Sequence, residues 1–310
     1  MIHTHTTATA FFSAQAVLAA APLEFPPAAP APVYLRSGSA IPVRRDGPAG
    51  RFYEIDGELY PSVTHVNEVI AKRALIKWAA DQERTAVLEA AAQLYEDCGK
   101  LPSALPRSSF LATLAARLPK LRAHQRALAK AGDIGQQTHA LVERSLRVAL
   151  GQVVPGPVPP ACAEAVHAFK AFQAWARSVN LKPKHIEQIV YSRTHKFAGT
   201  LDLVAEVNGR ELVIDFKTGK AIYGEAFLQN VAYQEAYAEM GHGRVAGGLV
   251  IRLPKQIGDP DFEVGVVPPA AALYPAFLAA RELFTWWHAQ EEAGKAARRT
   301  AAITARRSAA

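Results

Sequence analysis

The sequence predicts an α/β (α+β) fold in which a mixed central sheet is flanked by helices and preceded by a helical region. Half of the 310 residues are hydrophobic, which is enough to build a large buried core. Helical periodicity dominates the first half of the chain, and apart from one short hairpin the strand patterns begin at Ile186. The later elements follow the order β-β-β-α-β(-β)-α, which is typical of a layered fold with a mixed sheet.

The first half of the chain predicts an extension, a hairpin and then helices. Residues 1–50 are rich in alanine and proline, a composition that favours a flexible extension. A short hairpin is expected over 51–60, turning at Asp56-Gly57, and Ser62 or Thr64 can cap the helix that follows. Helical patterns then cover residues 66–96, 109–130, 133–150 and 163–179, and the proline-rich residues 151–160 form a loop.

The second half supplies the sheet. The strongest local signal is Asn208-Gly209, a two-residue hairpin turn between two β-branched segments. The predicted strands are 186–191, 200–207, 211–217, 245–253 and 262–267, and the predicted helices are 225–240 and 271–290. Residues 293–310 are basic and lack a hydrophobic pattern, which predicts a disordered tail.

Positive charge is concentrated in two segments of a chain whose net charge is +7. The first spans residues 100–130 and contains no acidic residue; its basic residues are Lys100, Arg107, Arg117, Lys120, Arg122, Arg126 and Lys130. The second follows Glu292 and also lacks acids; its basic residues are Lys295, Arg298, Arg299, Arg306 and Arg307. Basic segments on an otherwise acidic chain favour a polyanionic partner such as nucleic acid, although solvated helix faces would give the same count.

Several classes of protein are excluded by composition. The sequence contains no run of 18 apolar residues, so no transmembrane helix is predicted. The two cysteines, Cys98 and Cys162, cannot form a disulfide framework, a four-cysteine zinc site or a four-cysteine iron–sulfur cluster. We therefore expect a protein of a reducing compartment, the cytoplasm.

The Asn208-Gly209 turn allows the strand register to be calculated. If these two residues form the turn, Asp202 lies directly opposite Asp215, and Lys217 projects from the same face two residues later. Two facing carboxylates repel unless a counter-charge is present. The arrangement therefore indicates either a solvated face neutralised by the lysine or a site for a hard divalent cation.

Four short motifs stand in order along the chain: Gly135-Gln136-Gln137-Thr138-His139, Gly199-Thr200-Leu201-Asp202-Leu203, Asp215-Phe216-Lys217-Thr218-Gly219 and Gln229-Asn230-Val231-Ala232-Tyr233. Together they resemble the PD-(D/E)xK nuclease superfamily, and most of all its RecB-type branch, which includes phage and mitochondrial exonucleases. The segment Tyr60-Pro61-Ser62-Val63-Thr64 is similar to a stretch near the start of several of these exonucleases. The resemblance covers residues 60–290.

The resemblance implies a restriction-endonuclease-like core over residues 131–292 and a role for each matching residue. The metal, Mg²⁺ or Mn²⁺, would be held by His139, Asp202, Asp215 and the backbone carbonyl of Phe216. Lys217 would position or activate the attacking water. Two further groups are implied, Glu143 and Glu187 as accessory acids and Gln229 and Tyr233 as contacts to DNA.

These features predict a metal-dependent DNA exonuclease, preferring single-stranded DNA, in replication, recombination or repair and of phage derivation. The helical region 51–130 would form or flank a DNA channel through Lys120, Arg122 and Arg126. No Gly-x-x-x-x-Gly-Lys-Ser/Thr motif occurs, so a helicase or recombinase would be a separate partner. The alternatives are a non-catalytic nucleic-acid-binding module and an endonuclease of the same fold.

Overall fold

A computed structural model describes residues 42–47, 50–70, 73–99, 106–118, 122–152, 154, 156–158, 160–256, 258–259 and 261–308. Most of the predicted extension over 1–50 lies outside these residues, as does Lys120. The chain divides into two compact units, one from residues 1–70 and 137–310 and the other from residues 71–136. The first unit holds both sheets, and the second is helical.

A small antiparallel sheet opens the first unit. Its strands are β1 Val43–Gly47, β2 Gly50–Ile55 and β3 Glu58–Pro61. The predicted turn at Asp56-Gly57 is confirmed, and both residues have positive φ, as such turns require. Ordered structure begins earlier than the predicted Arg51, because β1 pairs along the length of β2. Ser62 then caps helix α1 (Val63–Val66), as predicted, by accepting a hydrogen bond from the backbone of His65 at 3.1 Å.

The central sheet has five strands in sequential order. They are β4 Lys182–Ser192, β5 Phe197–Val207, β6 Arg210–Lys217, β7 Gly247–Arg252 and β8 Glu263–Val266. Strands β6 and β7 run parallel and the other neighbours antiparallel, so the predicted mixed sheet is confirmed. The turn at Asn208-Gly209 is also present, with φ of 50° and 80° at its two residues.

Helices cover both faces of the central sheet. The longer helices of the first unit, counting the part of α4 that belongs to it, are α4 Ala123–Ala149, α5 Ala163–Ser178, α6 Gly224–Tyr237 and α7 Ala270–Ser308. On one face Phe172 and Trp175 of α5 pack against Phe216 of β6. On the other face the core includes Tyr237 of α6 and Phe277 of α7. Within the described ranges, no helix is long and apolar enough to cross a membrane.

The second unit consists of α2 (Arg73–Gly99), α3 (Arg107–Arg117) and the first part of α4. The expected helix over 109–130 is wrong at its centre, because α3 ends at Arg117 and α4 begins only at Ala123. Arg122, the residue before α4, has a φ of 38°, a left-handed conformation that does not occur inside a right-handed helix. The expected break between residues 130 and 133 is absent, and α4 continues through it.

The C-terminal helix corrects the prediction of a disordered tail. Helix α7 continues without interruption to Ser308, so residues 293–308 are helical. Most of the described side chains in this stretch are exposed, which is why no hydrophobic pattern marks it. Alanine, arginine and lysine have high intrinsic helix propensity, and this composition supports a helix without burial.

Candidate active site

The predicted carboxylates of the Asn208-Gly209 hairpin lie next to each other on strands β5 and β6. The ladder between these strands extends from the turn to the pair Leu203–Ile214, which confirms the predicted register over five pairs. Asp202 and Asp215 are the next residue on each strand. Both side chains are shielded from solvent, Asp202 with 14% of its side chain exposed and Asp215 with 1%.

Beyond the pair Leu203–Ile214, a hydrogen bond from the backbone to a side chain takes the place of the β5–β6 backbone ladder. The Oδ2 atom of Asp202 accepts a hydrogen bond of 2.8 Å from the backbone N–H of Phe216. The Asp202 carboxylate is thereby fixed against the strand that carries Asp215 and Lys217. A charge-assisted bond to a backbone amide is among the stronger hydrogen bonds in proteins.

Glu187 extends the row of acids onto a third strand. The β4–β5 ladder pairs the residues on either side of Glu187 with those on either side of Asp202, so the two acids face each other. Glu187 has a φ of 48°. This left-handed conformation is uncommon for a non-glycine residue, costs on the order of 1–3 kcal/mol, and is concentrated at functional sites. Burial raises the pKa of Glu187 to about 8, with further contributions from the Asp202 and Glu143 carboxylates.

His139 approaches this row from helix α4. Its Nε2 lies 3.2 Å from the carbonyl oxygen of Phe216, and its Nδ1 lies 3.6 Å from Oδ1 of Asp202. Because a carbonyl only accepts hydrogen bonds, the proton of the neutral ring belongs on Nε2 in this contact. The lone pair of Nδ1 then points toward Oδ1 of Asp202. These two atoms are both acceptors, and a cation between them would be bound by both.

The donor set fits a divalent metal ion. His139, Glu187 and Asp202 each offer a ligand atom within 4.8 Å of the other two. Asp215 is not one of these three donors, and both of its carboxylate oxygens lie within 2.8 Å of the Lys217 amine. Carboxylate oxygens with one imidazole suit Mn²⁺, and the oxygens alone suit Mg²⁺. The Phe216 carbonyl, another predicted ligand, contacts His139 at 3.2 Å. Its oxygen has a second lone pair with which it could bind a metal ion.

Lys217 and Gln229 hold Asp215 from the other side. The Lys217 amine lies 2.8 Å from Oδ1 and 2.7 Å from Oδ2 of Asp215. Gln229 donates a 2.9 Å hydrogen bond to the same Oδ1 and accepts one of 3.3 Å from Lys217. Burial raises the pKa of Asp215 to about 6, although the Lys217 charge opposes this shift.

Lys217 is held in its charged form. Burial works to lower the pKa of its amine, but the carboxylates of Asp215 and Asp202 outweigh burial and raise it. The side chain therefore remains an ammonium at neutral pH. A fixed ammonium beside the carboxylates can donate hydrogen bonds to an incoming oxygen and stabilise developing negative charge.

The other predicted site residues are not among the clustered metal donors. Glu143 forms an ion pair of 2.8 Å with Arg147, one turn along α4, and is absent from the set of three donors. Arg122 and Arg126 are exposed on the second unit, and Lys120 lies outside the described residues. All of these roles stay predictions.

Gln229 and Tyr233 do not face solvent as DNA contacts would. Their residues are 9% and 2% exposed, and the Gln229 amide donates to the Tyr233 hydroxyl at 3.1 Å. The Tyr233 ring packs against Gly199, where an added Cβ would lie 2.5 Å from a ring carbon. In this structure the two side chains form an internal support for Asp215 and Lys217.

Two neighbours of the site were not predicted from the sequence. Tyr53 of β2 shares a 2.9 Å hydrogen bond with Thr200, two residues before Asp202. Arg252 of β7 pairs in register with Lys217, is 1% exposed, and forms a 3.0 Å ion pair with Glu263. Thr200 belongs to a motif on the Asp202 face, but no local spacing in the sequence indicates Tyr53 or Arg252.

Comparison with known families agrees with this geometry. A model of the PD-(D/E)XK nuclease superfamily matches residues 89–306, more than two thirds of the chain. A search of curated proteins found no match. The mixed sheet flanked by helices is the α/β, restriction-endonuclease-like fold that the sequence motifs implied. The match and the clustered acids, histidine and lysine lead to one conclusion: the chain belongs to the PD-(D/E)XK nuclease superfamily.

Proposed function

We propose that this protein is a metal-dependent DNA exonuclease of the RecB-type branch that hydrolyses phosphodiester bonds in single-stranded DNA. The convergence of His139, Asp202, Asp215 and Lys217 from one helix and two strands is the observation that carries this proposal. A solvated polar face would not bury the Asp215 carboxylate to 1% exposure.

His139, Asp202 and Asp215 would hold Mg²⁺ or Mn²⁺, with the Phe216 carbonyl and Glu187 as further ligands. The ion would polarise a phosphate oxygen and lower the pKa of a nearby water. In the reaction the water oxygen forms a bond to phosphorus, the ester P–O bond breaks, and the leaving oxygen takes a proton. The products are a phosphate monoester and a free hydroxyl group.

The protein's own groups would orient this reaction. The Lys217 ammonium, 2.8 Å from Asp215, is placed to donate to the attacking water or to a phosphate oxygen. Gln229 keeps both partners in place through its two hydrogen bonds. This fixed arrangement costs no reorganisation when charge develops in the transition state.

DNA is the substrate that the charge distribution favours. The exposed Arg122 and Arg126 belong to the acid-free segment 100–130, which we propose flanks the path of the strand. Such an enzyme would act in the cytoplasm in replication, recombination or repair, be phage-derived, and work with a separate helicase or recombinase. The runner-up functions are an endonuclease of this fold and a non-catalytic binding module.

A comparison of linear and circular single strands of the same sequence tests the proposal. Each strand, labelled and incubated with Mg²⁺ or Mn²⁺ or with a chelator, is followed as a time course. An exonuclease shortens the linear strand progressively and leaves the covalently closed circle intact, and the chelator stops it. Cleavage of the circle would make the protein an endonuclease, and binding without products in either metal would make it a binding module.

A further inference from the structure

A second feature of the first unit lies away from the acidic row. A groove of about 620 Å³ lies between the small sheet, residues 65–69 and helix α7. Its floor is built from aromatic rings: His65 packs edge-on against Phe284 at 4.6 Å, and Phe284 stacks nearly parallel on His288 at 5.7 Å. Trp287 stands at the rim with 56% of its surface exposed.

The same face of α7 continues as a basic stripe. At 3.6 residues per turn, Phe284, Trp287, His288 and Lys295 share one face of the helix. Arg298 and Arg299 follow on that face about one turn beyond Lys295, roughly 17 Å along the axis from the exposed indole. The residues from 293 to 308 contain no acid.

The charges in and beyond the groove indicate where the neutral and the anionic parts of a ligand would bind. Glu68 and Glu291 line the groove together with the rings and with one lysine, Lys295, so the two carboxylates disfavour a phosphate group there. A neutral flat ring would instead bury aromatic surface without this cost. Beyond Glu291 the face carries only positive charge apart from Glu292, which pairs with Lys295 at 2.7 Å.

We propose that this groove stacks an unpaired nucleobase of a single strand on Trp287 and that the stripe of Lys295, Arg298 and Arg299 binds the adjoining phosphates. Flat aromatic surfaces beside a line of cations are the general means by which proteins hold single-stranded nucleic acid without reading its sequence. The inference rests on the proposed nucleic-acid substrate and adds to it a second contact, separate from the bond-breaking site.

The chain offers a matched control for the stacking residue. Trp286 is the same residue type with 57% exposure; its ring contacts that of Trp287 edge-on, with the centroids 5.8 Å apart, but it does not line the groove. Replacement of either tryptophan removes an exposed side chain, so both variants should fold. Trp287→Phe keeps an aromatic face and should retain most of the binding.

Binding is measured by fluorescence anisotropy with a labelled thymidine oligonucleotide in chelator, where no hydrolysis can occur, and with an abasic strand of the same length. Trp287→Ala should weaken thymidine-strand binding about fivefold or more, the effect of one lost base stack. Trp286→Ala should stay within about twofold of the parent, and neither should change abasic-strand affinity. Alanine at Lys295, Arg298 and Arg299 should lower the salt slope by about 2.

Equal effects of the two tryptophan variants, or a Trp287→Ala loss that persists with the abasic strand, would overturn base stacking in this groove. Cleavage in Mn²⁺ is assayed on the same preparations. A protein that cuts but shows no Trp287 effect overturns the groove alone. A protein that shows the Trp287 effect but never cuts supports the groove and contradicts the proposed hydrolysis.

Discussion

Asp202 and Phe216 are joined by a 2.8 Å hydrogen bond from the Phe216 amide to the Asp202 carboxylate, at the position where the β5–β6 ladder ends. This contact gives Asp202 two tasks. One oxygen satisfies a backbone donor of the neighbouring strand, and the other faces His139 at 3.6 Å. The structural and chemical contributions of one carboxylate can therefore be separated by mutation.

Asp202→Asn and Asp202→Ala should separate these tasks. Asparagine keeps an oxygen for the Phe216 amide, so the variant should unfold within a few degrees of the parent, but it removes the negative charge and should abolish cleavage. Alanine leaves a shielded amide without a partner, which costs about 1–3 kcal/mol. Thermal unfolding and a cleavage assay check both expectations. Equal destabilisation by the two substitutions would contradict the assigned hydrogen bond.

Gln229→Leu should reduce the rate of cleavage more than the affinity for DNA. The substitution removes the hydrogen bonds that hold Asp215 and Lys217 but no solvent-facing group. We expect kcat to fall at least about tenfold and KM to change little, since a lost positioning contact raises the barrier by ~1.4 kcal/mol or more.

Gln234→Leu is the matched control, because Gln234 is also buried in α6 and donates instead to Asn230 at 2.8 Å. It should lower stability to a similar extent without the loss of kcat. A Gln229→Leu enzyme with normal kcat and a raised KM would instead favour direct contact of Gln229 with DNA.

Gly199→Ala should be destabilising, because its Cβ would meet the Tyr233 ring at 2.5 Å. Overpacking of this kind costs about 1–3 kcal/mol and would also disturb the support under Gln229. Gly132→Ala is the control: apart from the backbone of helix α4 itself, no described atom lies within 4 Å of its added Cβ, and it should stabilise by about 0.5–1 kcal/mol. Denaturant unfolding of both variants gives the comparison, and opposite signs are expected.

The basic segment of the second unit should contribute to DNA affinity through charge. Replacement of Lys120, Arg122 and Arg126 by alanine should weaken single-strand binding and lower the salt slope by about 2, at roughly 0.7 for each lost phosphate contact. Titrations at several salt concentrations in chelator measure the slope. An unchanged affinity and slope would show that the segment is only a solvated helix face.

Local signals in the sequence were sufficient for the hairpin at the centre of the site. A two-residue turn at Asn208-Gly209 sets the register, so the adjacent positions of Asp202 and Asp215 follow from counting. The periodicity of the strands likewise places Lys217 on the Asp215 face. These relationships are short in sequence, and one turn geometry determines them.

Contacts made across the fold could not be predicted in this way. Arg252 lies beside Lys217 because β7 pairs in parallel with β6. A helix connects the two strands, so no tight turn determines their register. Glu187, which faces Asp202, is itself in the left-handed conformation, and strand alternation does not predict that conformation. The Trp287 groove depends on helix α7 meeting the small sheet, and the helical residues 293–308 lack the pattern that would have marked them.

The central claim is that Asp215 and Lys217 form the active site of a metal-dependent nuclease. The initial rate of single-strand cleavage in Mn²⁺ tests it most directly, measured for Asp215→Asn, Lys217→Ala and the control Glu206→Gln, which changes an acid of the same hairpin that pairs with Lys182. We expect the first two variants to lose at least about 10²-fold in rate, as removal of one electrostatic group at a reaction centre does, and the control to match the parent. Parental rates from Asp215→Asn or Lys217→Ala would contradict the assignment of this site.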